Sequence, residues 1–557
     1  MIDRKLFSTS LAKYQDAVDT KLVKMEADEI MTRIWARDHT VWKPEPAEIA
    51  NRLGWLRIPE MMLNDIDQME NLAENLFSEG YTHARLLGMG GSSLAPEVFR
   101  EAFGVGPKNL DLSVLDSTDP DSVQALTKDL DLTKTLFIVA TKSGGTTETL
   151  SFFKYFYNQV TQAVGVDKAG DHFIAITDPG SKLESIAKTY NFRTTFLNDP
   201  NIGGRYSALS YFGLVPAALL GVDLEVLLDR ALTAQCNCES CNSVVTENNI
   251  GAQLGVIMGE LAKGGNGHSK KDKLTLVISP EISSFGDWVE QLIAESTGKE
   301  GLGILPVVGE PLGSPDVYGD DRYFVYMRLT NNDTNDAAIQ ELMDAGYPVV
   351  RIDLDDKYDL GAQFFLWEMA TVVAGYCLRI NPFDQPNVES AKILARRMVD
   401  EYMEKGELPS GEFAPMTADT LDSFLDDSVS PGSYIALQAY LHPTSEVKSA
   451  LRNLRLKLRN HYKVATTLGF GPRFLHSTGQ MHKGDSGNGV FVQFTSSTSH
   501  DIPIPDEAGE DESAMGFGVL KASQALGDAQ ALLDAGRQLI RFDLGTAIIE
   551  NLKSLGE

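Results

Sequence analysis

Apolar positions in residues 1–80 recur at helical spacing, most clearly in YQDAVDTKLVKMEADEIMTRIW and EIANRLGWLRIPEMMLNDIDQMENLAENLF, and predict a helical N-terminal segment. From residue 81 the period changes. ARLLGMG and TLFIVAT are short apolar strands, each followed by a small-residue loop and a helix; HFIAITD and FRTTFLND repeat the strand pattern before SALSYFGLVPAALLG returns to helix. Strands alternating with helices predict a doubly wound parallel sheet over 81–265. A second unit of the same kind, 266–408, opens with the strand KLTLVIS and the helix SSFGDWVEQLIAEST. It ends in two long helices separated by the breaker NPFDQP. GELPSGEFAPMT reads as a linker, and 415–557 as a further mixed region, α/β or α+β.

With 557 residues, more than one core is expected. The net charge of −29 argues against nucleic acid and anionic membranes as partners, since both would be repelled. An anionic substrate would therefore need a local site built from a few cations and oriented N–H groups. No apolar run approaches the ~20 residues of a membrane span, and the N-terminus lacks a signal-type apolar stretch, so a soluble cytoplasmic chain is expected. Of four cysteines, Cys236, Cys238 and Cys241 cluster in AQCNCESC. That spacing, with no histidine nearby, is not a closed zinc pattern, and they read as ordinary reduced thiols with no metal.

Two loops carry chemistry. In LLGMGGSSLAPEVFRE a strand ends at Gly88 and the chain turns through glycines to Ser92 and Ser93 at a helix start, an arrangement suited to an anion. A serine occupies the third glycine position of G-x-G-x-x-G, which disfavours a dinucleotide. In LFIVATKSGGTTETLSFF the loop holds Thr141, Lys142, Ser143, Thr146 and Thr147, hydroxyls and a cation at a second helix start. No nucleotide P-loop is present; the Gly298–Lys299 pair is followed by Glu300. Two such loops at one sheet edge predict a phosphate site.

GMGGSSL and TKSGGTTET resemble the phosphate-side loops of the sugar isomerase (SIS) domain, and NIGGRYSALS, AESTGKEG and NPFDQPNVESAK resemble hallmark stretches of the glucose-6-phosphate isomerase family. ARDHTVWKPEPAEIANRLGWL and FLHSTGQMHKGDSGNGVFVQFT are similar to the isomerase portion of fused transaldolase–isomerases; this chain has no room for the transaldolase barrel. The resemblance implies two SIS-type doubly wound domains in an α/β fold, with a helical N-terminal segment and a C-terminal appendage. It implies interconversion of glucose 6-phosphate and fructose 6-phosphate through a cis-enediol(ate), without a cofactor, in a homodimer. Acceptance of mannose 6-phosphate and a non-catalytic sugar-phosphate sensor are the alternatives. Transfer of an amino group would need an ammonia-producing domain, for which no segment is evident.

On that resemblance Glu295 is the base that shuttles a proton between C2 and C1, and Arg205 faces the developing enediolate oxygen. Lys392 lies near the ring oxygen. Gln385 helps hold the phosphate and lies close to one side with Lys392 if the helix begins near Pro386. Ser92, Thr141, Lys142, Ser143 and Thr146 bind phosphate, Gly91 contacts the sugar, and Gly204 lets backbone approach it. Glu148 holds a family position that orients the site's water or arginine, or is a helix-start carboxylate. Apart from the motifs, Glu295, Arg205 and Lys392 would read as ordinary surface charges. One departure stands out: the family's ring-opening histidine is absent from GEPLGSPDVYGDDR. Asp316 or Asp320 could replace it, or His476 or His482 of HSTGQMHK, since imidazole titrates near working pH.

Overall fold

The structure, a computed structural model, describes residues 7–128, 130–246, 249–409, 411–497 and 500–556. The chain divides into two compact units, each assembled from separated stretches of sequence. Unit one comprises Met1–Gly80, Leu94–Leu112 and Asn198–Gln385; unit two comprises Tyr81–Ser93, Ser113–Leu197 and Pro386–Glu557.

The sheet of unit one runs Phe7–Ser10, Val349–Leu354, Arg322–Leu329, Lys273–Ile278, Leu305–Val307 from edge to edge. The last four strands are parallel, as the alternation with helices predicts, and Phe7–Ser10 lies antiparallel at the edge. The helical reading of residues 1–80 lacks this strand, because the four residues FSTS are too few to show a period. Helix Leu360–Leu378 is apolar all round and buried along nearly its whole length, as a helix with no polar stripe must be.

Among the described residues unit two holds two larger sheets and a two-stranded antiparallel ribbon, Pro503–Ile504 with Met515–Gly516. The first has the order Asp111–Leu115, His83–Gly88, Thr135–Ala140, Phe173–Thr177, Thr194–Leu197, with the strands from His83 onward paired in parallel. TLFIVA is buried at every position, the pattern of a central parallel strand covered on both faces. The second sheet, Ala465–Phe470, Tyr434–Tyr440, Gly489–Thr495, Gln538–Asp543, is parallel throughout, so the C-terminal region is α/β rather than α+β. Each of the three larger sheets places its second strand in chain order outside its first, apart from the added N-terminal edge strand. In such a sheet ligands bind where the order reverses, beyond the carboxyl ends of the first and third strands.

Three helices of unit two meet beside that point. Thr147–Val164 packs against Phe517–Asp534 through the stacked rings of Phe152 and Phe517, 5.7 Å between centroids. Val388–Lys405 packs on the same C-terminal helix, and at Gly527 an added Cβ would stand 2.6 Å from the backbone nitrogen of Ala395. Only glycine permits that approach.

Candidate active site

In unit two both glycine- and hydroxyl-rich loops leave paired residues of adjacent strands, since Gly88 is in register with Ala140. The first loop turns through Gly90, whose φ is +54°, into the short turn Gly90–Ser92, with Ser92 buried. The second is held from within. Thr141 Oγ1 and Thr146 Oγ1 are 2.9 Å apart, and Thr177 Oγ1 donates to the Thr141 carbonyl at 2.7 Å. Lys142 forms an ion pair with Asp178. Gly144 has φ +70°, and a Cβ there would stand 2.3 Å from the backbone nitrogen of Leu183. Ser143, Thr146 and Thr147 face a cavity of about 370 Å³ that Glu148, Lys392, His476 and Gln524 also line.

Glu148 is the second residue of helix Thr147–Val164 and is buried. Its Oε1 accepts from Gln524 Nε2 at 2.7 Å and from His476 Nε2 at 2.9 Å. Burial pushes this carboxyl up, but the facing His476, with its hydrogen bond, and the charge of Lys392 outweigh it and hold the group below its usual range. An ionised carboxylate only accepts, so the Glu148-facing nitrogen of His476 carries a proton. His476 sits on the turn Arg473–His476 beyond the strand Ala465–Phe470, and Arg473 Nε anchors that turn to Asp116 Oδ2 at 2.8 Å.

Six residues further on, His482 has a different environment. It is 3% exposed, packed against the rings of Phe474 and Phe491, and is not among the residues lining the cavity. Burial, with the charges of Lys483 and Arg537, drives its pKa well down, so it stays neutral. Between the two histidines Gln480 accepts from Asn387 N at 2.8 Å and donates to Asn387 Oδ1 at 2.7 Å, pinning the start of the helix that carries Lys392. Sequence reasoning passed over Gln480 and Gln524, because a glutamine on a polar helix face carries no signal.

Unit one holds the second group. Arg205, on the turn Gly204–Tyr206, is 4% exposed and bound on every side. Its Nε donates to Ser296 Oγ at 2.8 Å, Nη1 to Gln385 Oε1 at 3.0 Å, and Nη2 to the Pro382 and Asp384 carbonyls at 2.8 and 3.1 Å. Nη1 also stands 3.1 Å from Glu295 Oε1, and Gln291 Nε2 donates to Glu295 Oε2 at 3.2 Å. A Cβ on Gly204 would meet nothing within 4 Å, so open space adjoins this turn. Nearby Lys299 bonds the Asn381 carbonyl at 2.9 Å and Asp384 Oδ1 at 2.8 Å. Burial pulls its ammonium down to about 8, and the charge of Arg205 adds to the effect.

Gln385 therefore bonds Arg205, and because the following helix begins at Val388 it shares no helix face with Lys392. Asp320 is tied to Lys271 Nζ at 3.0 Å and to Ser269 Oγ at 2.8 Å, and Asp316 accepts from Ser314 Oγ.

Residues 61–302 match the family model for phosphoglucose isomerase. A glucose-6-phosphate isomerase of Methanocaldococcus jannaschii is 28% identical over 60% of this chain and 89% of its own. One of Rubrobacter xylanophilus is 28% identical over 67% of this chain and 94% of its own. Among solved structures, a glucose-6-phosphate isomerase from Chlamydia trachomatis aligns over 72% of this chain and 89% of its own with TM-score 0.59 and 18% identity. A hypothetical protein from Thermus thermophilus aligns over 71% and 99% with TM-score 0.58 and 22% identity, and at these identities the two structures speak for the fold. The likeness to phosphoglucose isomerases is thus carried by residues 61–302 and by the curated relatives, and the fold agrees with it.

Proposed function

We propose that this chain interconverts glucose 6-phosphate and fructose 6-phosphate through a cis-enediol(ate), with Glu295 as the base. The observation that carries this reading is the 3.1 Å approach of Glu295 to the buried guanidinium of Arg205. A sensor of sugar phosphates needs anion-binding loops but no carboxylate beside a fixed cation. An isomerase needs both, one to move a proton and one to offset the charge that the proton leaves behind.

In this reading Ser92, Thr141, Ser143 and Thr146 hold the phosphate, with Lys142 adding charge from its pair with Asp178. Gly91 and Gly204 admit the sugar, and Gln385 keeps Arg205 in place. His476 opens the ring. It takes the O1 hydroxyl proton and delivers a proton to O5 as the C1–O5 bond breaks and the C1 carbonyl forms, with Lys392 beside the ring oxygen. Glu295 then removes the C2 proton, and the electron pair passes through C2–C1 to O1. A proton passes from the O2 hydroxyl to O1, and the same carboxyl returns its proton to C1 as the O2 electron pair forms the C2 carbonyl. His482, neutral and enclosed by aromatic rings, takes no part. A homodimer and a cytoplasmic location go with this reading. Among the described residues no helix is long and apolar enough to cross a membrane.

Turnover of fructose 6-phosphate in a coupled assay tests the proposal. Glu295→Gln is expected to lower kcat by about 10²–10⁴-fold, the usual contribution of a positioned general base. A wild type without turnover ends the enzyme reading, and an unaffected variant removes Glu295 as the base. Mannose 6-phosphate in the same assay measures how broadly the site accepts C2 stereochemistry.

A further inference from the structure

We infer that Gln524, from the C-terminal helix Phe517–Asp534, is a positioning residue for the Glu148–His476 pair. The C-terminal region would then belong to the proton-transfer side of the site. The inference rests on the reading of His476 as the ring-opening group.

Gln524 is nearly buried, and both ends of its amide are committed. Nε2 donates to Glu148 Oε1 at 2.7 Å, and Oε1 accepts from Thr118 Oγ1, itself fully buried, at 2.7 Å. The orientation of the amide follows from the chemistry. A carboxylate offers no proton, so the NH₂ group must face Glu148, and the carbonyl is left for the Thr118 hydroxyl, which donates. One turn earlier Lys521 Nζ meets Asp119 Oδ2 at 2.9 Å, with both side chains 4% exposed. One turn later Asp528 pairs with Lys483, in the short helix Gly479–Gly484 that follows the turn carrying His476. Lys521, Gln524 and Asp528 lie on one helix face, three and four residues apart. That face therefore grips the Thr118–Asp119 loop, Glu148 and the segment bearing His476 together.

This arrangement has a chemical consequence. Glu148 Oε1 accepts two N–H groups, which stabilises the anion and fixes the direction of its bond to the imidazole. With Nε2 held as the donor to Glu148, Nδ1 is the nitrogen that trades protons with the sugar. The family match ends at residue 302, well before this helix. The titratable groups facing Glu148 are His476, Lys392 and Tyr440, whose hydroxyl burial keeps neutral.

The experiment separates ring opening from isomerisation. Exchange between the α and β anomers of glucose 6-phosphate, read by NMR in a Glu295→Gln background, reports the His476 step alone. Gln524→Met, close in size but without the amide, is expected to slow this catalysed exchange at least tenfold. In the protein with Glu295 intact, it should lower kcat with KM changed less than threefold. The acidic limb of the kcat profile should rise by about half to one pH unit, the size of one lost hydrogen bond to the carboxylate. Thr118→Val, which leaves Gln524 in place but unpinned, should move the same readouts in the same direction by less, and it keeps the test open if Gln524→Met does not fold. A folded Gln524→Met protein with native exchange and a native pH profile overturns the inference. If His476→Asn retains native exchange, the reading beneath it fails instead.

Discussion

His476 and Glu148 lie 328 residues apart in the chain and 2.9 Å apart in the structure, imidazole Nε2 against carboxylate Oε1. The pair stands on the wall of a cavity that Ser143, Thr146, Thr147 and Lys392 also line. A carboxylate that fixes the orientation of an imidazole is a common device for proton exchange. Glu148→Gln is therefore expected to lower kcat by about 10²-fold with little change in KM, within the range of general acid–base contributions. Steady-state kinetics with fructose 6-phosphate measures both constants.

The same carboxylate makes stability depend on pH. Its folded pKa lies below the ordinary value of 4.5, so its contribution is complete above pH 4.5 and is lost as pH falls through the folded value. The stability difference between wild type and Glu148→Gln should then shrink below pH 4.5, as read by denaturant titration at several pH values. A difference that stays constant across that range would mean that the pair does not stabilise the anion.

Lys299 gives the opposite dependence at alkaline pH. Its folded pKa is about 8 against an ordinary 10.5, so below pH 8 the folded protein carries the full cost of a buried ammonium. As pH rises from 8 to 10.5 the unfolded chain holds more protons than the folded one, and stability rises. Relative to Lys299→Met, the wild type should gain stability through that window.

Arg205 is bound on every edge of its planar guanidinium, to Ser296, Gln385, Glu295 and two carbonyls. Lysine keeps the charge but cannot reproduce that fork. Arg205→Lys is expected to reduce kcat/KM by about 10²-fold, the loss typical when a donor facing developing charge is removed. Near-native kinetics in this variant would show that the charge alone suffices.

The Gly144 backbone, at φ +70° and against Leu183, leaves no space for a side chain. Gly144→Ala should destabilise by about 1–3 kcal/mol and raise KM several-fold by displacing Ser143 and Thr146. Thermal denaturation and steady-state kinetics would follow the two effects. His482→Gln, by contrast, keeps a polar group beside Gln438 Nε2, 3.4 Å away, and should leave kcat within twofold. A large loss of kcat in a folded His482→Gln protein would return that histidine to the candidates.

Much of the site is legible from local sequence alone. Gly88–Ser93 and Thr141–Thr149 stand out because glycines and hydroxyls gather where a strand gives way to a helix, the composition that lets backbone approach an anion. The alternation of apolar strands with amphipathic helices likewise specifies parallel α/β sheets, since both periods are properties of neighbouring residues. The pairing of His476 with Glu148 has no such local cause. His476 and His482 occupy one glycine-rich stretch and look equivalent, yet a short turn sets one against Glu148 and a short helix buries the other between Phe474 and Phe491. Gln480 and Gln524 acquire their roles only by reaching Asn387, Thr118 and Glu148, and the FSTS segment becomes a strand only because Val349–Leu354 offers it an edge. Residue types and spacing thus determine the two glycine- and hydroxyl-rich loops and the layered fold. Which histidine lines the cavity beside a carboxylate, and which is buried among aromatic rings, is decided by partners hundreds of residues away, through contacts that exist only once the chain has folded.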